Sequence, residues 1–546
     1  MSIAIGSNLL FISLFLISTV FLAGLGLRVW YFRLIENARS QVRDRDGKLA
    51  PGSSPRMLIG NLPEVYRAEN QLSAYHSFHR RFGEVVQIFW LWRHQISTSN
   101  YAMARQILVS NQRNYQKFPP NSILQKLFGQ SILTIADTGH DWKRHRLLLQ
   151  EIFAHKQIPD FHDTFVDYCQ ELVCRWQRNI EESEENVAID IYPDLLALFL
   201  DIVVHISIGK NVAFSRREGD EFLAAVKYIV YQSTQPAHQF TTWWKYLPLP
   251  SNKKLARAFQ TVETFLEQLI AQKQTSTTDN GTTVLDLLWR SLNLSTRELS
   301  PASKQQIRDN LLAIIANGYE TVATCVAFSL YLLAKYPEKL ARAQVEVDRI
   351  LEREQGKLTK AGVAQLDYLN CVILETLRFA PPMAGLQRIG RDRDTLSGWS
   401  IPAGQVIAIT LEPLHHNSEY FGEQAEQFQP ERYLELEPAV MGISTVTVNP
   451  SSQQCPLKRL WQSQRDKTQA GVYLPLTFGD GARKCLGEHF AMYEMKVALA
   501  TLLYNFDFQL VPDFEAELEL GKFGLFLTTF PKDGVKMLIS PRNHSK

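Results

Sequence analysis

Ten consecutive residues near the C-terminus, Phe478-Gly479-Asp480-Gly481-Ala482-Arg483-Lys484-Cys485-Leu486-Gly487, combine the types that metal and anion chemistry needs. Cys485 precedes an apolar run at helical spacing, so its sulfur is expected at a helix N-terminus. There the free amides and the dipole stabilise a thiolate. Such a thiolate ligates a soft metal or haem iron. Gly481 allows a tight turn, and Gly487 offers no side chain to obstruct a flat ligand. Phe478 is placed to cover the sulfur, and Arg483 offers a cation to a carboxylate. A buried structural cysteine beside a turn is the bland alternative. A phosphate-cradling loop is a second one, but Gly479-x-Gly481 lacks the later glycine of that fingerprint.

A second group lies far upstream. The segment Ala316-Asn317-Gly318-Tyr319-Glu320-Thr321 sits at the centre of a long helical pattern over 305–334. Gly318 weakens that helix, and the Thr321 hydroxyl can take over a backbone carbonyl, which predicts a local groove. Glu375 and Arg378, three apart, share a helical face and can pair. His415-His416 have no metal-like partner and read as packing or capping residues, and His489 reads as a helix-face residue. Cys455 falls in a polar stretch. Trp243-Trp244-Lys245-Tyr246 suits either a membrane interface or ordinary packing.

These elements, in this order, resemble the cytochrome P450 family. The ten-residue segment matches its haem-binding signature, Phe-x-x-Gly-x-Arg-x-Cys-x-Gly, at all five fixed positions. Glu375-Thr376-Leu377-Arg378 is similar to the Glu-x-x-Arg helix, and Pro430-Glu431-Arg432-Tyr433 to the Pro-Glu-Arg-Phe element. Trp142-Lys143-Arg144-His145-Arg146 fits the early Trp-x-x-x-Arg helix, and Leu58-Ile59-Gly60-Asn61-Leu62 is of the family type. The resemblance covers roughly 51–546. It implies haem b (iron protoporphyrin IX) bound through Cys485 as axial ligand, with Phe478, Gly481, Arg483 and Gly487 in the binding loop. Trp142, Arg146 and Arg388 become propionate contacts. Glu375, Arg378 and Arg432 become a structural lock, and Thr321 with Glu320 an alcohol–acid pair that relays protons during oxygen activation.

The implied activity is monooxygenation: one atom of O2 enters an apolar fatty-acid, terpenoid, sterol or aromatic substrate, with electrons from a separate NADPH-dependent reductase or other donor. Isomerisation or dehydration of a peroxide-like substrate, or ligand binding without turnover, is the other class. Relatives that skip oxygen activation tend to lose the Glu–Thr pair. Two positions depart from the family pattern: Asn317 replaces a small residue, and Val322 stands where Thr or Ser is common.

The elements that must position these residues are mostly helices. Amphipathic periodicity predicts helices near 72–82, 141–153, 158–180, 192–208, 251–274, 305–334, 337–353, 365–379 and 486–504. Short β-like runs fall at Val85–Trp90, Trp399–Ile401, Gln405–Ile409 and Phe506–Val511. The expected fold is therefore mainly α with a minor β-sheet region. Its 45% hydrophobic and 21% charged residues exclude disorder and collagen-like or coiled-coil arrays. The formal charge, 58 − 56 = +2, gives no reason to invoke nucleic acid. Six cysteines without a CxxC pair exclude a disulfide scaffold and a typical zinc site.

The first 27 residues carry no charged side chain, and Leu9–Leu27 is almost continuously apolar. About 20 apolar residues span a bilayer as a helix. Arg28, Arg33, Arg39, Arg43, Arg45 and Lys48 follow, which predicts a single-pass anchor with the catalytic domain on the cytoplasmic side, at the endoplasmic reticulum in a eukaryote. A cleaved signal peptide would need a basic n-region that is missing. The expected organisation is an anchor over 1–27, a polar linker over 28–50 and a catalytic domain over 51–546 that opens on the hinge Pro51-Gly52-Ser53-Ser54-Pro55. A polar insertion over about 438–472 is expected as an exposed loop.

Overall fold

The computed structural model describes residues 2–544 apart from 69–70, 137–138, 154–157, 183–187, 210–215, 236–237, 239–243, 245–246, 276–282, 292–299, 435–472 and 520–527. The expected loop over 438–472, Cys455 and most of the Trp243–Tyr246 group lie outside the described residues. The architecture is mainly helical, with 61% of the described residues in helices and small sheets beside them.

The core is built where apolar side chains cover all or most of a helix. Ile191–Ile208 has few polar residues and buries both sides, as an all-round apolar helix must. It packs on the helices Pro301–Gly318 and Glu320–Lys335, the second of which in turn meets Asp367–Phe379 and Glu488–Asn505. Glu488–Asn505 also packs against His162–Glu181, where Phe165, Cys169, Leu172 and Trp176 form one buried stripe. Ile191–Ile208 and Pro301–Lys335 are long and apolar enough to cross a membrane, but each is 72% buried over its apolar window and belongs to this core.

The largest sheet has five strands in the order Val85–Trp90, Arg93–Thr98, Val406–Thr410, Gly385–Gly390 and Tyr115–Lys117. Neighbours are antiparallel except Arg93–Thr98 with Val406–Thr410. Val85–Trp90 is buried along its whole length.

Two expectations are refined. The pattern over 305–334 is a helix broken at Tyr319, which adopts φ −103° and ψ −49° between Pro301–Gly318 and Glu320–Lys335. The N-terminal helix does not stop where the apolar run ends. It runs Ser2–Ser40, and within the stretch expected as polar linker Tyr31 and Ile35 are buried beside Phe89. Tyr31 also donates to the Arg56 carbonyl at 2.8 Å, fixing the helix to the domain.

Candidate active site

The cysteine loop is shaped by its glycines. Gly481 has φ +69°, and a Cβ there would lie 1.8 Å from the Leu108 carbonyl oxygen, so only glycine fits. At Gly487 a Cβ would meet nothing within 4 Å. Neither packing nor backbone conformation demands glycine there, which leaves room for a flat ligand over this position.

The Cys485 amide donates to the Phe478 carbonyl at 2.8 Å, which closes the loop under the sulfur. The helix proper starts at Glu488, with Gly487 at its N-cap. The Cys485 side chain keeps accessible surface, yet desolvation pushes its thiol up most strongly. A side chain facing an internal hollow satisfies both observations. The Gly487 amide, Arg146 and Lys484 pull in the opposite direction, toward the thiolate. Arg146 reaches this side of the site, donating to the Lys484 carbonyl at 2.8 Å.

Arg483 turns away from the sulfur. Its guanidinium lies 4.4 Å from the Trp142 ring centre and donates to the carbonyls of Ile135 at 2.7 Å and Ala136 at 3.1 Å. Trp142, expected beside Arg146, is therefore buried under Arg483. Arg388 projects from Gly385–Gly390 directly opposite Lys117 of Tyr115–Lys117. Both line the large cavity. Lys117 donates to the Leu133 carbonyl and Arg388 to the Gln387 carbonyl, at 2.8 Å for the latter.

Burial lowers the Lys117 ammonium to about 7, and the fields of Arg388 and Arg483 add to that. Burial lowers Arg388 to about 10. Like charges directly opposite across strands destabilise a sheet, and buried charges are ordinarily paired. Lys117 and Arg388 on the cavity wall, with the Arg483 charge acting on Lys117 from behind, thus form a cationic cradle that a ligand with carboxylates would neutralise. Together with the accessible Cys485 sulfur and the open space at Gly487, they fit iron protoporphyrin IX. Sequence reasoning missed Lys117, because a three-residue strand carries no periodic signal.

The cavity has a volume of about 1470 Å³. Single drug-sized ligands occupy pockets of about 300–1,000 Å³, so there is room for a cofactor and a substrate together. Apolar side chains such as Phe128, Val226, Val230, Leu386 and Phe530 share its wall with Asn317, Tyr319 and Glu320 from the helix break.

That break has two causes. A Cβ at Gly318 would lie 2.8 Å from Val203 Cγ2, so glycine permits close approach of the Ile191–Ile208 helix. Asn317 Nδ2 donates to the Ala313 carbonyl at 2.7 Å, and Thr321 Oγ1 to the Asn317 carbonyl at 3.0 Å. Such back-bonding bends helices. Thr321 and Glu320 are thus neighbours at the break, but their side chains part. Thr321 turns to Asn317, while the Glu320 carboxylate accepts from Thr528 Oγ1 at 2.6 Å. Burial raises the Glu320 carboxyl, against the Thr528 hydrogen bond and the Lys227 charge.

The Glu375–Arg378–Arg432 group is assembled as expected. Arg378 donates to both Glu375 oxygens at 2.8 Å, and Arg432 Nε to the same carboxylate at 3.0 and 3.1 Å. Arg378 further holds the carbonyls of His415, Ala425 and Gln427. His415 in turn accepts the Leu476 amide at 2.9 Å, and Thr477 donates to the Leu377 carbonyl at 2.7 Å. This network therefore fixes the chain entering the Phe478–Cys485 loop. His415 and His416 are packing residues, the latter between Phe379 and Glu426. Trp244 is buried on His238 at 4.0 Å between ring centres. Among the described residues no group of three or more His, Cys, Asp or Glu could hold a metal ion.

Comparison with known proteins agrees with this geometry. The family described as Cytochrome P450 matches residues 50–537. The chain is 26% identical to cytochrome P450 3A9 of Rattus norvegicus over 490 residues, covering 87% of this chain and 88% of the relative. It is 24% identical to cytochrome P450 CYP72A613 of Trigonella foenum-graecum, over 69% and 67% of the two chains. It is 25% identical to the 11-oxo-beta-amyrin 30-oxidase of Medicago truncatula, over 73% and 70%. With a cysteine loop open to a flat ligand, a cationic cradle beside it and a family match across nearly its whole length, this chain belongs to the cytochrome P450 family.

Proposed function

We propose that this enzyme inserts one oxygen atom from O2 into a bulky apolar substrate of fatty-acid, terpenoid, sterol or aromatic type, with electrons from a separate reductase. As a family member the chain is a monooxygenase with haem b as cofactor. The observation that carries the substrate reading is the cavity of about 1470 Å³, whose exposed wall is mostly apolar. A relative named 11-oxo-beta-amyrin 30-oxidase is compatible with a large apolar substrate. Substrate-induced spectral shifts across a panel of those four compound types test it. Binding confined to small polar compounds would reject it.

In this reading Cys485 holds the iron, with Phe478 over the sulfur and Gly481 and Gly487 making room. Arg388, Lys117 and Arg483 hold the carboxylates of the cofactor, and Trp142 and Arg146 brace that side. Bound haem supplies dioxygen activation and oxygen transfer. The chain supplies protons and excludes bulk water. Glu320 suits proton donation because burial raises its affinity for a proton. Thr321 donates its hydroxyl to the carbonyl of Asn317, itself a cavity residue, and that bond can be exchanged for one to a ligand. Thr321→Ala should retain haem and substrate binding but divert electrons to hydrogen peroxide. Product per electron pair should fall on the order of 10²-fold, the lower end of what a positioned proton donor contributes. Full coupling in that variant would remove Thr321 from the relay.

Residues 1–27 are proposed as a single-pass membrane anchor. The exposed apolar side chains Leu22, Leu25, Leu27, Val29, Trp30 and Phe32 on the N-terminal helix support this, as does the basic flank. Deleting residues 2–27 should weaken membrane attachment and leave haem binding intact; unchanged sedimentation with membranes would contradict the anchor. The reductase is proposed to dock beside Cys485, where Lys143 and Arg144 are exposed on the His140–Ile152 helix. Lys484 contributes less, being paired with Glu488 at 2.6 Å. Lys143→Glu with Arg144→Glu should slow iron reduction more at low salt than at high salt, because screening weakens the attraction. Unchanged reduction at every salt concentration would place the docking surface elsewhere.

A further inference from the structure

Glu320 is held by a residue from the far end of the chain. Thr528 Oγ1 donates to its carboxylate at 2.6 Å across 208 positions of sequence. That length is short for an O–H···O hydrogen bond. Position 528 is itself fixed. Its backbone bridges Met383. The next residue, the fully buried Thr529, donates its amide to the Pro382 carbonyl at 3.0 Å and its hydroxyl to the Pro381 carbonyl at 2.7 Å. Pro381 and Pro382 closely follow the helix Asp367–Phe379, which carries Glu375 and Arg378. The element that sets the cysteine loop through Leu377 therefore also sets Thr528.

The other groups acting on Glu320 do not replace this bond. Lys227, on Arg216–Thr234, lines the cavity and bears on Glu320 through its charge. Tyr192, on Ile191–Ile208, spends its hydroxyl in a 3.3 Å contact with Thr324. Tyr319, the residue before Glu320, is buried with its phenol held neutral. Without the Thr528 hydroxyl, a carboxylate on a cavity wall is free to change rotamer, and among the described residues no other hydrogen bond orients it.

We propose that Thr528 is a positioning residue for proton delivery, its hydroxyl holding the Glu320 carboxyl in one orientation at the helix break. This rests on the reading of Glu320 as a proton donor. The test uses the full-length haem-loaded enzyme with Thr528→Val, Thr528→Ser and Glu320→Gln. Thr528→Ala serves as a second hydroxyl-free variant should valine impair folding. The Glu320 carboxyl band is titrated by infrared spectroscopy in the resting enzyme and assigned by its loss in Glu320→Gln. Coupling is measured with the tightest-binding compound of the fatty-acid, sterol, terpenoid and aromatic panel.

Removing a donor to the charged form raises the pKa. Thr528→Val should move the midpoint up by about one pH unit and lower coupling about tenfold, the scale of one hydrogen bond to a charged group. Thr528→Ser should restore both values. An unmoved midpoint in the hydroxyl-free variants, or serine and valine behaving alike, overturns the proposal. Full coupling in Glu320→Gln would instead reject Glu320 as the donor. Uncoupled Glu320→Gln beside fully coupled Thr528→Val rejects Thr528 alone.

Discussion

Glu375→Ala should give a chain that folds poorly and holds little haem. Both guanidinium groups that meet Glu375 do so in the interior: Arg378 and Glu375 have no exposed side-chain surface, and Arg432 has 11%. Removing the carboxylate leaves two cations facing carbonyls alone. Breaking a buried pair by deleting one partner costs about 3–5 kcal/mol, against total stabilities of about 5–15 kcal/mol. The same carboxylate accepts the Gln429 amide at 2.7 Å, so the segment that carries Pro430–Tyr433 loosens as well. Because Arg378 holds the His415 carbonyl and His415 holds Leu476, the disturbance passes to the Phe478–Cys485 loop. Haem content per folded chain and the thermal unfolding midpoint check this. Wild-type values for both in Glu375→Ala would mean that the network is not needed to form the site.

The parts of the site that could be read from sequence are those in which one residue type is compulsory. Gly481 must be glycine because of the Leu108 carbonyl, and Arg378 must be an arginine to reach two carboxylate oxygens and three carbonyls at once. Such positions leave a fixed spacing in the chain. Long helices such as Ile191–Ile208 were legible for a different reason, their sustained apolar character.

Lys117 was not legible. Its meaning depends on lying opposite Arg388, a pairing 271 positions away set by sheet register. Thr528 was hidden in the same way, since a threonine in a short extended stretch has no role until Glu320 is placed beside it. Arg483 and Trp142 were named, but their stacking on each other follows from how the His140–Ile152 helix meets the loop. A local groove is legible in the helix weakness at Gly318, whereas the full break at Tyr319 and the contact with Val203 come only from packing. The helical continuation to Ser40 was masked by the charges after Leu27, among which Tyr31 and Ile35 supply the buried face.

Cys485→Ser should abolish the spectral signature of thiolate ligation. Cys174 and Cys485 are exposed among the described cysteines, and of these Cys485 lies beside Arg146, Lys484 and the Gly487 amide while Cys174 sits on the His162–Glu181 helix. Cys169, Cys325 and Cys371 are buried elsewhere, with burial pushing their thiols up to about 12 or beyond. A serine hydroxyl is far less acidic than a thiol, so it will not supply an anionic sulfur-type ligand. The effect is all-or-none and does not depend on the substrate.

The carbon monoxide difference spectrum of the reduced protein, recorded for the wild type and Cys485→Ser side by side, tests the central claim. The wild type should absorb near the wavelength that gives the family its name, and the variant should lose that band. A variant that keeps the band, at the intensity of the wild type per haem, would contradict the assignment of Cys485 as the iron ligand.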